Sequence, residues 1–158
     1  MSRIDFSHQS PELAKKYLDF SMALRGAAID KITQILVTIR ASQMNGCAFC
    51  LDMHVKEAKL AGERELRVHH VAIWRESNLF SARERAALEW TEALTKIPAH
   101  GVSDELYQSV REHFSEKELS DLSFCIVAIN GWNRLSIGFA NVPGSMDAAY
   151  GLDKAGLN

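Results

Sequence analysis

Three residues in the stretch "NGCAFCLDMH" can do chemistry together: Cys47, Cys50 and His54. The thiols are three residues apart, and the imidazole follows four after the second. On a helix that starts near Cys47, Cys50 and His54 share a face, and Cys47 stands one turn before Cys50. Two thiols so placed at a helix start can close a disulfide without tearing the helix. The free N–H groups and the positive end of the helix dipole also favour negative charge there. Cys-x-x-Cys thiols in this setting commonly ionise one or more units below the free value of about 8.5. His54 can take the released proton or pass it on.

Three chemistries fit these residues. In the first, a thiolate attacks a peroxide or a disulfide, and the second cysteine resolves the oxidised species. In the second, Cys47, Cys50 and His54 are zinc ligands, which calls for a fourth ligand or a bound water. The sequence has no second Cys-x-x-Cys and no His-x-x-x-His to supply one. In the third, the sulfur is coincidental and His54 is a surface residue.

The elements that must hold this group are helices. The chain has 158 residues, 47% hydrophobic and 24% charged, which suits one soluble domain spanning 1–158. A net charge of −2 gives no reason to expect nucleic acid or an anionic membrane as partner. No apolar run approaches the roughly 18 residues of a membrane span, and the first residues lack a signal peptide's apolar stretch. Three cysteines are too few for a disulfide framework in a chain this long. A reducing cytoplasm is the expected setting, and there a Cys-x-x-Cys is reactive or metal-binding rather than structural.

Ser10-Pro11 opens a helix with an apolar face of Leu13, Tyr17, Leu18 and Met22, ended by Gly26. Asp30 caps the next, whose buried stripe is Ile32, Ile35, Leu36 and Ile39, and Asn45-Gly46 ends it. The motif helix runs from about Cys47 to Gly62. Residues 63–75 form a fourth helix with Leu66, His70, Ile73 and Trp74 near one face. Ser81 with Glu84, and Ser115 with Glu118, are capping boxes. The first opens a helix carrying Leu88, Trp90 and Leu94. Ser103 caps a helix with Leu106, Tyr107 and Val110. The second box opens a helix over 116–140, about 37 Å long. That helix is apolar on most sides and belongs in the core or at a subunit interface. Residues 143–158 read as loosely structured. About seven helices and no strand give an all-α chain.

The stretches "IRASQMNGCAFCLDMHVKEAKLAGE", "VAIWRESNLFSARERAALEWTEALT" and "AINGWNRLSIGF" resemble the alkylhydroperoxidase AhpD-like branch of the carboxymuconolactone decarboxylase family. The likeness covers about residues 30–140. The resemblance implies an all-helical AhpD-like fold with the Cys-x-x-Cys opening an inner helix, and a homo-oligomer, a trimer or a hexamer. It implies peroxide reduction in which Cys50 attacks, Cys47 resolves the sulfenic acid as a disulfide, and His54 belongs to a proton relay. A dithiol protein, in some members lipoyl-bearing, restores the thiols, and no cofactor is needed. The family's decarboxylases lack the cysteine pair, which argues against lactone decarboxylation. A redox sensor, whose pair switches an interface without turnover, is the alternative.

Two positions depart from the family pattern. The peroxidase members carry a glutamate twelve residues before the first cysteine as the relay's base, and here that residue is Ile35. Gln34 beside it cannot take a proton. Phe49 stands where the peroxidase prototype has a histidine.

Other residues have plainer explanations. Of His69 and His70, one is expected to face the core with Leu66 and Ile73. Glu76 and Glu84 are candidate replacement carboxylates, although the capping box accounts for Glu84. Trp74 and Trp132 are anchors. Asn133 and Arg134 interrupt an apolar helix, and a buried Arg there calls for a carboxylate partner. Cys125 reads as a small core residue, and Met44 and Met53 as walls of a pocket at the motif.

Overall fold

The computed structural model describes residues 2–157, and among them every regular element is helical. The order is α1 (Phe6–Gln9), α2 (Pro11–Ala23), α3 (Lys31–Asn45), α4 (Ala48–Leu60), α5 (Glu65–His70), α6 (Ala82–Thr95), α7 (Asp104–Arg111), α8 (Glu116–Phe139) and α9 (Asp147–Tyr150). Short 3₁₀ segments cover Leu24–Gly26, Val71–Ile73 and Leu152–Ala155. The all-α class is as the sequence predicts. The two additional helices, α1 and α9, are single turns of four residues, too short to show periodicity.

Local chemistry sets the boundaries. Asp30 accepts the Thr33 N–H and starts α3, and Gly46 ends it in the left-handed region at φ 70°. Both capping boxes form, Ser81 with Glu84 on α6 and Ser115 with Glu118 on α8.

The middle of the fold is α3, which packs on α4, α6 and α8. One face of α3 joins Ile35, Leu36 and Ile39 to Ala58, Val71, Trp74, Phe80 and Leu88. On the other side Val37 joins Ala87, Trp90, Val110, Phe114, Leu122 and Ile126. A third, smaller cluster holds Ala41, Cys47, Cys50 and Ile129 together, with Phe49 and Trp132 against them. The cysteines therefore sit where α3, α4 and α8 meet.

Three expectations are corrected. First, α2 forms, but Leu13, Leu18 and Met22 are exposed, and the helix is held by polar tips instead. The Tyr17 hydroxyl donates to the Ala128 carbonyl at 2.8 Å, and Trp132 Nε1 donates to Ser21 Oγ at 2.8 Å. Second, 63–75 is not one helix. It is α5 followed by the 3₁₀ turn, so Leu66 and Ile73 are exposed while Val71 and Trp74 are buried. Positions 68, 71 and 74 repeat at the period of three that a 3₁₀ turn requires. Third, the tail after Pro143 is packed. Leu152 and Ala155 are buried, and Lys56 of α4 binds Asp147 at 2.6 Å and Asp52 at 2.8 Å.

Candidate active site

Cys47 is the N-cap of α4, and its sulfur accepts the Cys50 N–H at 3.3 Å. The two sulfurs lie 2.7 Å apart, and neither cysteine is more than 3% exposed. The packing that buries them is chemically mixed. Phe49 and Trp132 close one side, while polar groups from α3 and α8 line the other. Asn133 is fully buried, donates to Ser42 Oγ at 3.1 Å and accepts from Asn45 Nδ2 at 2.8 Å. Asn45 also donates to Asn130 Oδ1 at 2.9 Å, and Asn130 donates to Thr95 Oγ1 at 3.1 Å. Satisfied networks of this kind fix side chains more firmly than apolar packing does.

This geometry divides the pair. A hydrogen bond from Cys50 is the chief influence on Cys47, bringing its thiol down from an ordinary 9.0 to about 7. Burial opposes this, and the Cys50 N–H, Asn133 and the nearby His54 assist. Cys50 moves the other way. Its bond to Cys47, its burial and the neighbouring negative sulfur all push its thiol far up, although Asn133 and Ser136 counter in part. Of the two, Cys47 at the helix N-terminus is therefore the thiol that ionises first, while Cys50 keeps its proton.

His54 follows one turn after Cys50 on α4, with its side chain about four-fifths buried. Its Nδ1 lies 2.6 Å from Oε2 of Glu57. Partial burial raises the Glu57 carboxyl, but the His54 hydrogen bond and the charges of His54, Arg25 and Lys31 outweigh it, leaving Glu57 below its ordinary range.

The profile of the carboxymuconolactone decarboxylase family matches residues 11–93. The uncharacterized protein YdfG of Bacillus subtilis is 43% identical over 139 residues, 88% of this chain and 95% of its own length. The chain belongs to the carboxymuconolactone decarboxylase family. Within it the chain falls in the AhpD-like branch. A crystal structure of a protein of unknown function from Agrobacterium tumefaciens, whose suggested role is antioxidant defence as an AhpD, is similar at a TM-score of 0.87. Its identity is 37%, over 90% of this chain and 98% of that one. An uncharacterized peroxidase-related protein from Ralstonia eutropha JMP134, with an alkylhydroperoxidase AhpD core, shares the fold at a TM-score of 0.78. Its identity is 19%, over 89% of this chain and 75% of that one.

Within this AhpD-like fold the positions singled out from sequence have distinct surroundings. Ile35 is buried among apolar neighbours, so it offers no proton acceptor at the position where the resemblance leads to the expectation of a glutamate. Gln34 is occupied with the Ile29 carbonyl at 2.7 Å. Glu84 fills its capping box and pairs with Arg67, and Glu76 is exposed, so neither replaces that acceptor. His69 is exposed, while His70 Nδ1 lies 3.0 Å from Ser77 Oγ. Among the described residues Arg134 has no carboxylate partner; it donates to the Asn130 carbonyl at 2.8 Å, one turn back. Cys125 is buried, and burial pushes its thiol up to about 11. Met44 and Met53 are half-buried. Two surface cavities, one against Phe20 and Phe124 and one against Trp90 and Tyr107, lie away from the cysteines. Among the described residues, no three His, Cys, Asp or Glu side chains are grouped to hold a metal ion. No helix among the described residues is long and apolar enough to cross a membrane.

Sequence reasoning missed Glu57, Asn133 as a neighbour of the sulfurs, and Ser136. A signal for Glu57 was present, since it lies three residues after His54 on the same helix.

Proposed function

We propose that this AhpD-like chain is a thiol-dependent peroxidase that reduces hydroperoxides through Cys47 and Cys50. The observation that carries this is the pair itself: two buried sulfurs 2.7 Å apart at a helix N-terminus. The description of the Ralstonia neighbour as peroxidase-related and the antioxidant role suggested for the Agrobacterium protein support the substrate class.

In the proposed cycle the Cys50 S–H bond breaks, its proton passes to His54, and the sulfur attacks the outer peroxide oxygen. The O–O bond breaks and an S–O bond forms. The departing alkoxide takes the proton from His54 and leaves as the alcohol. Cys47, already a thiolate, then attacks the Cys50 sulfenic acid. The disulfide forms, and hydroxide leaves and is protonated to water. A dithiol protein returns two electrons and two protons to the disulfide. A resolving thiolate is present beforehand, while the attacking thiol needs a base and has His54 on its own face of α4. No cofactor enters.

The chain is expected to work as a homo-oligomer, a trimer or a hexamer. The exposed Leu13, Leu18, Met22, Phe124 and Val127 support this, because they offer apolar surface to a second copy.

The test is consumption of hydrogen peroxide or an organic hydroperoxide by purified protein with excess dithiothreitol. The proposal requires many equivalents consumed per chain, and loss of that turnover in Cys50→Ser. Consumption that stops at one equivalent per chain despite the dithiol, with a change in oligomer size, would instead make the pair a redox sensor.

A further inference from the structure

The cycle above asks His54 to take a proton from a thiol that its surroundings hold firmly protonated. An imidazole does this well only if one ring nitrogen is kept free to accept, and if the resulting cation is stabilised. In this chain the residue at the upstream position is Ile35, which can do neither.

Glu57 can do both. Its Oε2 lies 2.6 Å from Nδ1 of His54, so Nδ1 carries the hydrogen that the carboxylate accepts, and Nε2 is the nitrogen left to receive a proton. Many Glu–His pairs one helical turn apart are surface contacts of little consequence. This one is screened less than a fully exposed pair, since the His54 side chain is 19% exposed, although the Glu57 side chain remains 40% exposed. The charged groups acting on Glu57 are His54 on α4, Arg25 after α2, and Lys31 at the start of α3. Both added cations keep the carboxylate ionised at neutral pH. On the thiol side, the charge of His54 acts on Cys47. A carboxylate, an imidazole and a thiol pair thus follow one another along α4, in the order a proton would travel in reverse.

We propose that Glu57 is the positioning residue of the relay: it holds His54 in the Nδ1–H form and stabilises the imidazolium while the proton is in transit. It takes over, from the opposite side of the cysteines in sequence, the work of the carboxylate absent at Ile35. This rests on the reading of Cys47 and Cys50 as a thiol redox pair. In the step concerned, the Cys50 S–H bond breaks, an Nε2–H bond forms, and the same proton later leaves with the alkoxide. Glu57 stays ionised throughout and touches neither sulfur nor substrate.

Two readouts test this. The first needs no peroxide: nitrogen-15 NMR of the imidazole gives the His54 tautomer. The wild-type protein is expected to show Nδ1–H, and Glu57→Ala to shift His54 toward Nε2–H. The second is turnover of hydrogen peroxide with dithiothreitol as a function of pH. Glu57→Gln keeps the shape and the acceptor oxygen but not the charge, and kcat is expected to fall by about 10- to 100-fold at pH 7. Glu57→Asp is expected to recover part of that loss. An unchanged tautomer in Glu57→Ala, or an unchanged kcat and pH profile in Glu57→Gln, overturns the proposal. If the wild-type protein turns over no peroxide, the functional reading fails, and the tautomer still decides whether Glu57 positions His54.

Discussion

Replacing Cys50 by alanine gives a sharp test of how the pair divides its charge. The bond from Cys50 is the largest influence lowering Cys47 from 9.0 to about 7. Alanine removes that donor while retaining the backbone N–H and the helix. At pH 7 about half of wild-type Cys47 is thiolate, whereas at full return to 9.0 only about one part in a hundred would be. The more basic thiolate is also the better nucleophile, by about 8-fold over two units at a Brønsted slope of about 0.45. The two effects oppose each other. Alkylation of Cys47 by iodoacetamide, mapped by mass spectrometry, is therefore expected to slow about 6-fold at pH 7 and to quicken about 7-fold at pH 10. The two pH–rate curves cross near pH 8, at about the point where the thiolate fractions differ by the reactivity factor. A Cys47 midpoint still near 7 in Cys50→Ala, or curves that never cross, would refute this view of the pair.

Three further outcomes are expected. A Cβ at Gly131 would lie 1.9 Å from the Tyr17 hydroxyl, which is held by the Ala128 carbonyl. Gly131→Ala should therefore lower stability by about 1–3 kcal/mol in urea unfolding, and cost much less in a Tyr17→Ala background. Lys56→Met removes the cation that binds Asp52 and Asp147, so limited proteolysis should reach residues 143–157 at protease levels that leave the wild-type chain intact. Acid should destabilise the fold through depressed carboxyls. The Ser115 N–H, with help from Arg83, holds Glu118 at about 2, and Glu84 lies below 4.5 because Arg67 outweighs its burial. Stability from such groups is full above the unfolded pKa and lost as pH falls through the folded one. The urea midpoint should accordingly fall from about pH 5 toward pH 2, and less steeply in Arg67→Met.

The parts of the fold legible in sequence were those fixed by local chemistry. Asp30, Ser81, Ser103 and Ser115 each cap a helix through their own side chains, and Gly46 ends α3 by adopting a conformation other residues resist. Errors arose where tertiary contacts overrode the pattern. The apolar residues of α2 imitate a buried stripe, yet this helix is attached through Tyr17 and Ser21, whose polar tips reach α8. A 3.6-residue period over 63–75 puts Leu66, His70, Ile73 and Trp74 on one face; Trp74 is buried, but the 3₁₀ turn buries Val71 with it and leaves Leu66 and Ile73 exposed. In the tail, Leu152 and Ala155 are buried from a segment whose helices are single turns, so no periodicity announces them.

The same division holds at the candidate site. Cys47, Cys50 and His54 can be read from spacing because one helix carries all three. Asn133 stood out as polar in an apolar helix, but its neighbour Ser42 is 91 residues away, and no local rule reveals that pairing. Arg134 drew attention because a cation in such a helix calls for a carboxylate, and the carbonyl of Asn130 serves instead.

The most direct test of the central claim is a single turnover followed by mass spectrometry. Fully reduced protein is mixed with one equivalent of hydroperoxide, and both protein and small-molecule product are measured. The expected result is one alcohol released per chain, a mass loss of two hydrogens, and a Cys47–Cys50 cross-link in the peptide map, with Cys50→Ser releasing no alcohol. Full alcohol release by Cys50→Ser, or wild-type protein left reduced beside intact peroxide, would contradict it.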